Sequence, residues 1–131
     1  MPNQVPTVTT MSLMERFLDG TARRQVLRME NLAQIDTPGY KAKDIPFEKY
    51  MAEWVEKTEK GQISSGRMSN EPSVPPVEFI NNLPIRPDQN NVDMDQELRA
   101  ISTNVSKFNV IIQVMQQKLR LIRTSIIETR G

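Results

Sequence analysis

The chain has neither cysteine nor histidine among its 131 residues. The first absence excludes disulfides, thiolate metal sites and thiol nucleophiles, and it leaves the redox compartment open. The second removes the commonest general base and, with cysteine gone, the two usual zinc ligands. Catalysis would fall to carboxylates, lysines or hydroxyls, which argues against an enzyme. Aromatic residues make up only 5% and hydrophobic residues 37%, lean for a compact core at this length. The five glycines are scattered and build no phosphate cradle. An excess of one charge is missing too: 17 basic residues against 16 acidic give a net +1, so no global field favours nucleic acid or an anionic membrane. No stretch approaches the roughly 20 apolar residues that span a bilayer. Met1–Thr10 carry no basic residue and no apolar run, so no cleavable secretory signal is expected there, and export would need another route.

What is present is helix at both ends. Met94, Leu98, Ile101, Val105, Phe108, Ile112, Met115, Leu119, Ile122 and Ile126 recur at alternating steps of four and three, a heptad seam that demands a partner surface. Met11, Met14, Leu18, Ala22, Val26, Met29 and Ala33 form a shorter stripe. The spacing predicts a helix from about Ser12 to Ile35, closed by Asp36-Thr37-Pro38-Gly39-Tyr40. Pro38 sets the first central position of a turn, and Gly39 tolerates the positive φ of the second. Gly20 costs this helix roughly 1 kcal/mol relative to alanine, so packing must support it.

A shorter helix is predicted from Pro46 to about Lys60, with Phe47, Tyr50, Met51, Trp54 and Val55 on one face to pack on a terminal helix, and Gly61 to stop it. The last helix opens at Asp93, a capping residue with Gln96 three positions on. Asp95 and Glu97 suit its positive end, and Lys118, Arg120, Arg123 and Arg130 its negative end. Run to Ile127, it is a rod of ~50 Å. Between these helices Pro72, Pro75, Pro76, Pro84 and Pro87 interrupt a polar stretch. They block helix and remove sheet donors, so 61–91 is expected to be extended or mobile. Val77–Ile80 and Leu83–Ile85 are pieces that would pair only in context.

These readings define a mainly α fold with three regions. Residues 1–40 form an N-terminal helix and turn, 41–91 a middle with one short helix, and 92–131 a C-terminal helix that pairs with the first as an antiparallel coiled coil. Val110, Ile111, Val114, Leu121 and Ile127 place apolar groups on further faces of the last helix. One partner helix covers about one stripe. Either neighbouring subunits cover the surplus, or the middle helix does so in a monomeric bundle; the pattern weighs the two alike.

Sites with their own chemistry are not indicated. Read as a calcium loop from Asp88, the glycine position is Asp93 and the bidentate glutamate position is Arg99, so the match fails. Asp93 and Asp95 are two apart on a helix and point in different directions. Arg23, Arg24 and Arg28 make the first helix locally basic without interleaved aromatics, which reads as a solvated or partner-facing patch rather than a nucleic-acid site.

The run Asn31-Leu32-Ala33-Gln34-Ile35-Asp36-Thr37-Pro38-Gly39-Tyr40-Lys41 resembles the motif that follows the N-terminal helix of bacterial flagellar rod and hook proteins, close to N-L/I-A-N-x-N/D-T-P-G-Y. Gln34 replaces the usual asparagine. Asn90, Asn91, Val92 and Asp93, ahead of the long helix, resemble the second family signature, with Gln89 where a glycine is common. The short length, the Lys41–Phe47 continuation and the ending Lys118–Ile126 look most like the proximal rod members of that family. Phe108 replaces a frequent tyrosine. The likeness covers both termini and leaves the middle unmatched.

The resemblance implies a structural subunit of the basal-body proximal rod, a torque-transmitting shaft in the periplasm. It further implies export through the flagellar type III apparatus without a cleaved signal peptide. The implied partners are other rod proteins, the adaptor joining rod to membrane ring, and copies of the chain itself. No cofactor, metal, nucleic acid or membrane insertion is expected. The expected assembly seam comprises Met14, Leu18, Val26, Met29, Leu98, Ile101, Val105, Phe108, Ile112, Met115, Leu119, Ile122 and Ile126. The runner-up is a soluble cytoplasmic coiled-coil adaptor or export chaperone using the same seams.

Overall fold

The computed structural model describes residues 7–61 and 74–130. Helix α1 spans Thr7–Ala33, strand β1 Lys43–Asp44, helix α2 Phe47–Glu59, strand β2 Glu78–Phe79 and helix α3 Met94–Arg130. The fold is mainly helical with one small sheet. Helix α1 begins at Thr7 rather than Ser12, ahead of its first periodic apolar residue; extending a formed helix adds one backbone bond per residue fixed.

Local chemistry accounts for the boundaries. After α1, Tyr40 N–H donates to the Thr37 carbonyl at 3.3 Å, and Gly39 sits at φ +77°, the positive value a glycine admits at the third residue of a turn. Gly61, at φ +66°, terminates α2. At the start of α3 the Asp93 carboxylate accepts from the Gln96 N–H at 3.2 Å, satisfying a first-turn amide that has no partner inside the helix.

The middle region is fastened to the helices where it is described. Strands β1 and β2 pair antiparallel, Lys43 opposite Phe79 and Asp44 opposite Glu78, so the Val77–Ile80 piece finds its pairing context. The stretch 74–91 has β2 as its strand, with bends at 82–83 and a turn at 87–88, and is held by bonds such as Ile80 N–H to the Ala42 carbonyl. The rest of the segment expected to be extended or mobile, 62–73 with Pro72, lies outside the described residues.

The apolar core is small and sits between α1 and α2. Leu27, Ile45, Phe47 and Trp54 are buried, flanked by Leu13, Phe17, Tyr50, Met51 and Val74. The Phe47 ring meets Phe17 edge to face at 5.2 Å and lies directly on Gly20, where an added Cβ would come within 2.0 Å of it. The missing side chain that weakens α1 as a helix is thus the seat for the central core aromatic. Arg16 stacks over Trp54 at 4.7 Å. Helix α3 sends no fully buried apolar side chain into this core: its buried residues are Glu97 and Asn104.

Candidate functional site

The two signature segments meet in space. Asn31, fully buried, accepts through Oδ1 from Lys43 N–H and Tyr40 Oη, each at 3.0 Å. Its Nδ2 donates to the Lys43 carbonyl at 2.8 Å and to Glu97 Oε1 at 3.3 Å. Asn90 Nδ2 faces the carbonyls of Gln34, Ile35 and Thr37 at 2.9 to 3.1 Å, so it caps the end of α1 from a segment more than fifty residues away. Asn91 bridges the Ala42 N–H and the Ile80 carbonyl. Gly39 N–H donates to the Asp88 carbonyl at 2.8 Å. Asn90 thus satisfies carbonyls at the end of α1 and in the turn, and Asn31 and Asn91 satisfy backbone groups of Ala42, Lys43 and Ile80; an unpaired buried polar group costs about 1–3 kcal/mol. Val92 is buried beside them, Leu32 and Tyr40 are half-buried, and Ala33, Asp36, Thr37, Pro38, Gly39 and Asp93 are exposed. Gln89 adopts φ +68°, which explains why a glycine is common at that position.

A charge network adjoins this joint. Arg28 pairs with Asp44 at 2.6 Å and Glu97 at 3.1 Å, and Arg24 forks onto Asp44 at 2.8 Å while reaching Glu48 at 2.5 Å. Burial lifts the Glu97 carboxyl above its usual range, with Arg28 and Asn31 offsetting only part. Burial also acts on Arg24 and Glu48, but the bonds of Arg24 to Asp44 and then to Glu48 outweigh it, raising the guanidinium and lowering the Glu48 carboxyl. This corrects the reading of Arg23, Arg24 and Arg28 together as a solvated or partner-facing patch: of the three, only Arg23 is exposed. Their spacing with Asn31, four and then three residues, was the available signal, since it places all three on one helix face.

The helices meet through polar contacts at matched positions. Asn31 and Arg28 reach Glu97, while Asn104 Nδ2 donates to the Thr21 carbonyl at 2.8 Å and to Gln25 Oε1 at 2.9 Å. Ascending positions on α3 therefore meet descending positions on α1. On α3 the inward edge reads Glu97, Ile101, Asn104, Phe108, Ile111, Met115, Lys118 and Ile122, all buried or half-buried. It shares Ile101, Phe108, Met115 and Ile122 with the expected seam and takes Glu97, Asn104 and Lys118 in place of Leu98, Val105 and Leu119, while Ile111 and Ile112 are both half-buried. Of the seam residues, Met14, Leu18, Ile101, Phe108, Ile112, Met115 and Ile122 are half-buried. Val26, Met29, Leu98, Val105, Leu119 and Ile126 stand 44 to 57% exposed. The inward edge is rotated because Glu97 and Asn104 find partners on α1.

Open grooves flank α3, among them a polar one of about 300 Å³ against Arg24, Arg28 and Glu48 and two that are mainly apolar. One of about 580 Å³ lies toward α2 and is lined by residues including Phe17, Phe47, Met51, Val110 and Ile111. The other, about 280 Å³, is lined on its α1 side by Ala22, Gln25 and Val26 and on its α3 side by Asn104, Val105 and Phe108. Among the described residues no cluster of acidic side chains is placed to hold a metal, and no helix is long and apolar enough to cross a membrane.

Helices clasped at one end by a polar joint, with apolar stripes left open along the longest of them, define a helical subunit suited to assembly. No protein-family model matches the chain. It is 31% identical over 116 residues to the flagellar basal body rod protein FlgB of Salmonella typhimurium, covering 81% of this chain and 84% of that one. The FlgB of Bacillus subtilis is 25% identical over 117 residues, 88% and 91% of the two chains, and that of Borrelia hermsii 22% over 129 residues, 89% and 95%. The chain belongs to the FlgB family of flagellar basal body rod proteins.

Proposed function

We propose that this protein is a structural, non-enzymatic subunit of the proximal rod of the flagellar basal body, built into the shaft through its terminal helices. The observation that carries this is the match to a rod protein along most of both chains. In this reading α1 and α3 pair as an antiparallel coiled coil whose outer faces meet other rod proteins, the adaptor at the membrane ring and copies of the chain. Repeated contacts that do not close on themselves give a helical shaft, and torque passes through many interlocked apolar side chains. The subunit reaches the periplasmic rod through the flagellar type III apparatus with its N-terminus intact. A cytoplasmic adaptor or chaperone draws no support from relatives that are all named as rod proteins.

The test is location and dependence. Deleting the gene abolishes motility, and a tagged chain copurifies with detergent-extracted basal bodies. A tagged chain that restores motility yet stays wholly in the soluble fraction overturns the reading.

A further inference from the structure

Exposed members of the two sequence stripes flank one groove. Val26 and Met29 of α1 and Leu98 and Val105 of α3 are all exposed, and Ala22, Val26, Val105 and Phe108 line the groove of about 280 Å³ between the helices. Its floor is closed by the Asn104 bonds to Thr21 and Gln25. Two helix stripes flanking such a furrow lack a third helix, because knobs on a or d positions need a facing hole.

Charge indicates which helix. On the α1 rim, Glu15 and Asp19 stand one heptad ahead of Ala22 and Val26, and Glu30 follows four residues after Val26, against the single cation Arg23; all four are exposed. The occupant must therefore be apolar on one face and cationic beside it. The far half of α3 fits that description. Leu119, Arg123, Ile126 and Arg130 recur at helical spacing and are exposed, and from Asn109 onward the helix carries Lys118, Arg120, Arg123 and Arg130 against Glu128 alone.

We infer that the groove between α1 and α3 receives the far half of α3 from a second copy of this chain. Leu119 and Ile126 fill the furrow, and Arg123 lies against the Glu15 and Asp19 rim. The contact joins different surfaces of the two copies, so it propagates rather than closing into a twofold dimer. This rests on the rod reading and specifies one interface within it.

Because the chain has no cysteine, engineered thiols report the contact cleanly. A Val26→Cys copy is produced together with copies carrying Leu119→Cys, Arg123→Cys or Ile126→Cys, and basal bodies are extracted and oxidised. The expected product is a disulfide-linked pair of this chain, at twice 15.1 kDa, from at least one mixture. In parallel, Asp19→Lys or Arg123→Glu alone lowers the chain recovered in basal bodies about tenfold, and the charge-swapped combination restores it. Recovery of the chain in basal bodies with no pair of this chain, or with the thiols joined only to another protein, overturns the inference while leaving the rod reading standing. Loss from basal bodies of even the unsubstituted chain fails the rod reading instead. Failure of the swap to restore recovery, with no disulfide pair, likewise removes the second copy as occupant.

Discussion

The first third of α3 and the remainder of it meet the molecule in opposite ways. Near its start, Glu97 and Asn104 are buried polar groups held by specific bonds to Arg28, Asn31, Thr21 and Gln25. Past Asn104 no described residue is buried, and Val110, Val114, Leu119, Leu121, Ile126 and Ile127 are exposed. The polar end encodes how the chain folds on itself, since hydrogen bonds are directional and punish misplacement. In the rod reading proposed above, the apolar end is where the chain joins others, since greasy surface left in water is recovered only on association.

Substitutions at the polar end should therefore cost stability, with shrinking penalties away from the joint. The largest loss is expected for Glu97→Ala, about 3 kcal/mol in urea unfolding, because Arg28 loses its fully buried partner and keeps only the half-buried Asp44. Burial raises the Glu97 carboxyl, so the folded chain binds that proton more readily than the unfolded chain. Ionisation then weakens the fold as pH rises from about 4.3, the ordinary glutamate value, through the folded value. The Glu97→Ala penalty should accordingly grow as pH is lowered through that window; a penalty that shrinks on acidification reverses the sign assigned to this group.

Asn31→Ala should cost about 2 kcal/mol by leaving Lys43 and Tyr40 groups unpaired, with faster amide exchange at Lys43 as the local readout. Gly20→Ala should lower the melting temperature despite alanine's better helix propensity, a net loss of about 1 kcal/mol, because its methyl displaces Phe47. Gln89→Gly should stabilise by about 1 kcal/mol by relieving the positive φ. The smallest stability change, within about 0.5 kcal/mol, is expected for Leu119→Asp with Ile126→Asp. That pair should nonetheless abolish incorporation into basal bodies, and a motile strain carrying it would erase the contrast between the two parts of α3.

Sequence alone reveals the elements whose causes are local. The four-three spacing marks α1 and α3, Pro38-Gly39 marks the turn, Asp93 marks the cap, and the Phe47, Tyr50, Met51 and Trp54 face marks α2. The rotation of α3 is not legible, because Glu97 and Asn104 look like solvated residues until Arg28, Asn31 and Thr21 are brought beside them by chain folding. Motif likeness singles out Asn31, Asn90 and Asn91, yet only their bonds reveal that two segments far apart in sequence form one joint. Asp44 enters the sequence reading only as part of the Lys41–Phe47 motif, since its role depends on two arginines one helical turn apart.

Asn104 carries a last consequence for a shaft under twist. Sliding α3 along α1 by one heptad, ~10 Å at the helical rise, would set Ile111 or Glu97 opposite Thr21. It would strand an amide and a carbonyl away from water, at about 1–3 kcal/mol for each. Leucine-lined rods can creep past one another in such strides at little cost. A single carboxamide bonded across the pair works as a detent, favouring one register over its neighbours.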